Sequence, residues 1–206
     1  MLIGARIGEW AKSGKHLPYD TEVEWLEGDG RSYIKTSITP KKNMAVLIKA
    51  MVIDTKNESF IYGAFTPYMG KFDGVFSVIS HYASGYYVDI EDIAEGDIIE
   101  TSLIGDLIAV SKNGSNIATI HRINSMERCV FYIFSASNED SISSNPFGIA
   151  KSRIYSFAIV NEMNEYVADF IPVRKDGVGY MYDRVSGQLF GNSGTGAFII
   201  GPDKTT

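Results

Sequence analysis

The sequence predicts an all-β antiparallel sandwich of jelly-roll type, preceded by an extended N-terminal arm. Three observations carry this. Short runs rich in aromatic and β-branched residues recur with turn residues every eight to twelve positions. No amphipathic helix of useful length appears, the nearest candidate, Asp89–Ile98, being short and acidic. The last fifty residues read as closing strands followed by a tail punctuated by Gly177, Gly179, Gly187, Gly191, Gly194 and Gly196. Many short strands without helices define a sandwich or jelly roll.

A chain of 206 residues suits one large β domain. It can bury about 70% of its unfolded surface without disulfides or metals. The expected division is an arm at 1–20, a sandwich domain at 21–201 and a short tail at 202–206. The arm carries Gly4, Gly8 and Gly14 and is locally basic through Arg6, Lys12, Lys15 and His16. Ile3, Ile7 and Trp10 are its candidate anchors on a partner.

The elements follow in order. Val23 and Trp25, then Tyr33, Ile34 and Ile38 beyond the Gly28–Asp29–Gly30 turn, give two short strands. Asn43–Asp54 is a long strand whose faces are both apolar, as a strand between two layers requires. Phe60–Phe65, Gly74–His81 and Tyr86–Ile90 are strands, with Pro67–Gly70 and Ala83–Gly85 as loops. Asp97–Leu103, Leu107–Lys112 and Ser115–His121 come next. Asn113–Gly114 joins the last two as a type I′ hairpin. Val130–Ala136 reads as one apolar strand, and Ser137–Gly148 as a polar loop.

Charge and composition exclude several function classes. The net charge is −6, whereas nucleic-acid or anionic-membrane surfaces are basic, so neither partner is expected. No run of about 18 apolar residues forms a transmembrane helix. The N-terminus lacks the apolar core of a secretory signal. The single cysteine, Cys129, excludes an internal disulfide and reads as a buried thiol between apolar neighbours. His16, His81 and His121 show no zinc-ligand spacing.

Four segments together resemble one family. Glu24–Trp25–Leu26–Glu27 leads to Tyr33–Ile34–Lys35–Thr36. Asn113–Gly114 lies between paired strands. Arg153–Ile154–Tyr155–Ser156–Phe157 precedes Asp169–Phe170–Ile171–Pro172–Val173–Arg174. Gly179–Tyr180–Met181–Tyr182–Asp183 precedes Phe190–Gly191–Asn192 and Gly194–Thr195–Gly196. Across about 21–201 the chain resembles the concanavalin A-like, laminin-G-type jelly-roll domains of gut Bacteroidales and their phages. The resemblance implies a non-enzymatic structural or adhesive component of a phage virion, on its capsid, head fibre or tail. Its partners would be other virion proteins or copies of itself, with carbohydrate as a ligand. A carbohydrate-binding module on a bacterial cell surface is the alternative it implies. The motif residues themselves read as fold determinants; Asp183 and Asn192 are placed to cap turns.

Chemistry is sparse. Asp89 and Glu91 share a strand face, as paired glycosidase carboxylates do. The acidic run Asp89–Asp97 nevertheless lacks the Glu-x-Asp-x-x-Glu order that such enzymes on this fold show, and a solvated loop explains it. No Gly-x-Ser-x-Gly elbow is present, so no catalytic residue is assigned. No resident cofactor is expected; a calcium ion of the kind this family holds at its rim would draw on Asp73, Asn138, Glu139 and Asp140. Tyr68, Tyr82, Tyr86 and Tyr87, near His81 and Asp89, are the candidate glycan-binding residues, because sugars are held by aromatic faces flanked by polar loops.

Overall fold

The computed structural model describes residues 17–56, 58–141 and 145–205. The expected anchors Ile3, Ile7 and Trp10 lie outside them. The strands in chain order begin with β1 (Thr21–Glu22), β2 (Leu26–Glu27), β3 (Ile34–Lys35), β4 (Ala45–Val52), β5 (Ser59–Gly63) and β6 (Tyr68–Phe72). Next are β7 (Val75–Ile79), β8 (Tyr87–Ile90), β9 (Ile98–Ile104), β10 (Leu107–Lys112), β11 (Ser115–His121), β12 (Tyr132–Ile133) and β13 (Ala136–Ser137). The chain closes with β14 (Pro146–Phe147), β15 (Ser152–Val160), β16 (Tyr166–Lys175), β17 (Val178–Asp183), β18 (Gln188–Phe190) and β19 (Ile199–Ile200). No helix forms among the described residues.

Two antiparallel sheets make a sandwich. The larger has 11 strands, built on the path β11-β10-β9-β4-β15-β16-β17-β18; β1, β2 and β19 attach near β15 and β16. The smaller has six, in the order β3-β12-β5-β6-β7-β8. Strand alternation sends one side of each sheet inward. Ile48, Phe157, Phe170 and Met181 of the large sheet meet Ile61, Met69, Phe76 and Val78 of the small one in a single core. The opposite parity builds two satellite clusters on the outsides. Tyr19, Ile171, Val173 and Tyr182 lie outside the large sheet. Phe60, Tyr68, Ile79 and Ala136 lie outside the small one.

Turn chemistry sets the hairpins. Asn113–Gly114 links β10 to β11 with both residues at positive φ, the I′ geometry that matches strand twist. Asp73–Gly74 between β6 and β7, and Asp176–Gly177 between β16 and β17, repeat it. Two expectations are corrected. Residues 67–70, expected as a loop, largely enter β6, because the Asp73–Gly74 turn sets Tyr68–Phe72 against Val75–Ile79. The expected strand Val130–Ala136 is broken, because Phe134 adopts φ 67° and splits it into β12 and β13. The polar stretch after it contributes β14, paired with β13.

The glycine-rich tail is a clamp. Asn192 Oδ1 accepts from Tyr33 N (3.1 Å) and Gly194 N (2.8 Å), and its amide donates to Gly196 O (2.7 Å). A Cβ on Gly194 would sit 2.1 Å from Arg31 O, so this backbone approach requires glycine. Around Pro202 the chain still pairs with the domain: Glu24 N donates to Pro202 O and Lys204 N to Glu22 O. The quoted motif residues converge as well. Arg153 stacks 4.2 Å from the Trp25 ring and bonds Glu27 at 2.6 Å.

Asp183 organises the turn after β17. It is 3% exposed. Its carboxylate accepts from Asp169 N, Val185 N and Ser186 N at 2.8, 3.1 and 3.2 Å. Replacing it with alanine strands these donors, so Asp183→Ala is expected to cost about 2–3 kcal/mol in denaturant unfolding.

Asp29 and Asp97 make stability depend on acid pH. Burial opposes the charge of Asp29, but the N–H groups of Arg31, Ala197 and Ser32 outweigh it and hold the carboxyl below its ordinary 3.8. Burial likewise opposes Asp97, and Ala94 N–H, Asn113 and Lys112 outweigh it. A depressed folded value means stability that is present above pH 3.8 and lost as pH falls through the folded values. Asp169 and Glu127, both pushed up mainly by burial, have the opposite slope and act above that range. The expected Tm therefore falls steeply below about pH 4. An Asp29→Asn, Asp97→Asn double variant has a flatter acid limb.

Candidate functional site

The outer face of the small sheet carries an aromatic groove. The ladder places Tyr68, Gly70 and Phe72 of β6 opposite Ile79, Ser77 and Val75 of β7, and Tyr87 and Asp89 of β8 opposite Ile79 and Ser77. These residues share one face. Phe60 lies on the same face, past a bulge between Phe60 and Tyr62. Its ring lies 5.1 Å from Tyr68, 6.3 Å from Phe72 and 5.7 Å from Phe147, and Tyr68 lies 6.2 Å from Tyr82. The rings bound a depression of about 270 Å³ with Phe65, Ser137 and Asn138 at its edges.

Two glycines let Phe60 form the floor. A Cβ on Gly70 would come within 2.8 Å of the Phe60 ring, and one on Gly148 within 2.5 Å. Phe60 and Tyr68 are buried, whereas Phe65, Phe72 and Tyr82 are 45%, 46% and 60% exposed. A floor of packed rings thus meets a rim of rings open to solvent. Exposed apolar patches rimmed by polar residues are among the surface features that mark binding sites. Burial and a hydrogen bond with Tyr82 push the Tyr68 phenol well above its usual value, so it stays a neutral donor and acceptor at physiological pH.

The loop carrying Tyr82 is braced from below. Ser80 Oγ lies 2.9 Å from Tyr86 O and 2.6 Å from His121 O. His121 N donates to Gly85 O. The four sequence-selected tyrosines accordingly divide. Tyr68 and Tyr82 line the groove, and Tyr87 stands on the same face beside Ile79. Tyr86, one residue out of phase, turns to another recess of about 330 Å³ with Asn43, Asp106, His121, Arg122 and Glu162, its ring 4.9 Å from His121. His81 stacks edge-on against Tyr86.

The carboxylates do not assemble as a catalytic pair. Asp89 accepts from Ser77 Oγ at 2.5 Å on the outer face. Strand β8 ends at Ile90, and Glu91 begins a turn, so the shared face expected for Asp89 and Glu91 is not built. The rim residues weighed for calcium also disperse. Asn138 Oδ1 accepts from Asn145 N. Asp73 occupies its hairpin turn. Asp140 accepts from Arg128 N and Cys129 N. It lies with Glu127 and Cys129, ligand atoms within 4.8 Å of one another. Burial raises both the Glu127 carboxyl and the Cys129 thiol.

Phe60, Phe65, Phe72 and Phe147 are the groove residues that sequence reasoning missed. The available signal was the pair Asp73–Gly74, which as a hairpin turn fixes Phe72 on the face of Tyr68. Comparison with protein-family models, with curated proteins and with solved structures returns no match to this chain.

Proposed function

We propose that this chain is a non-enzymatic adhesion module that holds carbohydrate in the aromatic groove of its six-stranded sheet. The observation that carries the reading is the row Tyr82–Tyr68–Phe60–Phe72, open at its rim and edged by Ser137 and Asn138. Sugar rings have apolar C–H faces that lie on aromatic rings and hydroxyls that need amide, hydroxyl or phenol partners. Both are present here in one depression. The finer fold assignment, a concanavalin A-like jelly roll of laminin-G type, belongs to the same proposal and rests on the motif resemblance. So does the setting, a bacteriophage virion with other virion proteins or copies of the chain as partners. A cell-surface module would use the same groove.

The arm, with Ile3, Ile7 and Trp10, is the proposed anchor. Tyr19 packs 5.0 Å from Tyr182 on the outside of the large sheet. Tyr19 thus lies on the side of the sandwich away from the groove. Since Asp20 N already pairs with Arg174 O, the appropriate truncation removes residues 1–16. That truncation is expected to leave Tm unchanged while abolishing incorporation into virions, read by mass spectrometry of purified particles. Normal incorporation would reject the anchoring role.

Binding itself is tested on a glycan array with the full chain. Tyr82→Ala is expected to weaken any glycan bound by about tenfold, since a stacked ring is worth roughly 1 kcal/mol or somewhat more. Tyr86→Ala, in the other recess, leaves it unchanged. Equal losses from both substitutions would place the site elsewhere.

A further inference from the structure

We infer that the groove selects uncharged glycans and rejects acidic ones. This rests on the carbohydrate reading of the same groove and adds its ligand class. Ten residues line the depression, six of them aromatic, two alanine, and the remaining two Ser137 and Asn138. None carries a charge at neutral pH. Among the described residues, no lysine, arginine or histidine lines the depression to meet a carboxylate or sulfate. On the same sheet face stands a negative charge, Asp89 of β8, held by Ser77 of β7. Glu139 follows Asn138 in the chain and is exposed, and Asp73 follows Phe72 and is exposed.

An acidic sugar entering this groove would lose water from its carboxylate against rings that offer no cation. The carboxylates of Asp89, Asp73 and Glu139, which neighbour lining residues on the sheet or in the chain, add like charge, and specificity is commonly built from such unfavourable terms. A neutral hexose or N-acetylhexosamine meets neither cost. Its hydroxyls find Ser137, Asn138 and the two phenols, while its apolar face covers Tyr82 or Phe72. The lining therefore discriminates by charge even where it is tolerant of sugar identity.

The test is an array printed with neutral oligosaccharides and their carboxylated or sulfated counterparts, probed with the full chain at low and high salt. Bound glycans are expected to be neutral, with matched acidic forms at least about tenfold weaker. The gap narrows at high salt, which screens those carboxylates. A second variant, Asn138→Lys, adds a cation at the rim and is expected to recover acidic forms relative to neutral ones. Acidic forms bound as tightly as neutral ones by the unsubstituted chain would overturn the selectivity while leaving the carbohydrate reading intact. Binding to no glycan in either set would overturn both.

Discussion

Replacing Arg122 with alanine is expected to cost about 3 kcal/mol or more and to lower Tm by roughly 10 °C, a large effect for a single polar residue. The side chain is 8% exposed. Its guanidinium donates to Asp106 O (3.2 Å), Asn43 O (3.3 Å), Asn161 O (3.0 Å) and Asn164 Oδ1. These acceptors belong to three separate connections: the approach to β4, the β9–β10 turn and the β15–β16 turn. One planar fork thereby ties together one end of the large sheet. Its removal takes the charged donor from three backbone carbonyls and the Asn164 amide oxygen at once, and hydrogen bonds to a charged group are each worth about 1.5–3 kcal/mol. Lysine keeps the charge but cannot reach four oxygens in a plane, so Arg122→Lys is expected to recover less than half of the loss. Denaturant unfolding of the three proteins measures this. A loss below about 1 kcal/mol for Arg122→Ala, the worth of one ordinary bond, would contradict the clamp.

Gly70→Ala is the second large effect, and it couples stability to the groove. The added Cβ would lie 2.5 Å from Ser59 O and 2.6 Å from Phe60 Cα. Both are backbone atoms of the adjacent strand, so no side-chain rotation relieves the contact. The strands must separate at the bulge between Phe60 and Tyr62, carrying the Phe60 ring with them. The expected cost is about 2–3 kcal/mol, the upper part of the range for overpacking. Glycan affinity falls too, although glycine itself offers a ligand nothing. Tyr82→Ala is the converse: with its side chain largely in solvent, stability changes by no more than about 0.5 kcal/mol while affinity drops. Gly70→Ala with unaltered stability and affinity would show that Phe60 does not depend on that approach.

Much of the architecture was legible because strand period and turn residues are local signals. The run around Ala45–Val52 was visible as a strand apolar on both faces, and the structure puts it centrally, paired with β15 on one side and β9 on the other. Asn113–Gly114 identified its hairpin outright. Asp73–Gly74 and Asp176–Gly177 carry the same signal, and reading the first would have turned the expected loop at 67–70 into a strand. Phe134 was beyond reach, because nothing local announces a phenylalanine at φ 67°. The site was legible only in part. Tyr68, Tyr82 and Tyr87 reach one face, but Tyr86 differs from Tyr87 by one step of alternation and is sent to the other side. The floor joins Phe60, Phe72 and Phe147, residues far apart in the chain. Their meeting depends on the bulge in β5 and on bare backbone at Gly70 and Gly148, which is tertiary information. Arg122 was missed for the same reason, its four acceptors being scattered from Asn43 to Asn164.

The most direct measurement is a titration of the protein, labelled at its tyrosine rings, with a neutral oligosaccharide selected on the array, followed by NMR. The account predicts that the ring signals of Tyr68 and Tyr82 shift progressively with ligand, while Tyr86, beside His121, and Tyr155, on the large sheet, stay in place. Shifts confined to Tyr86, or distributed with none at Tyr82, would contradict the groove as the binding site.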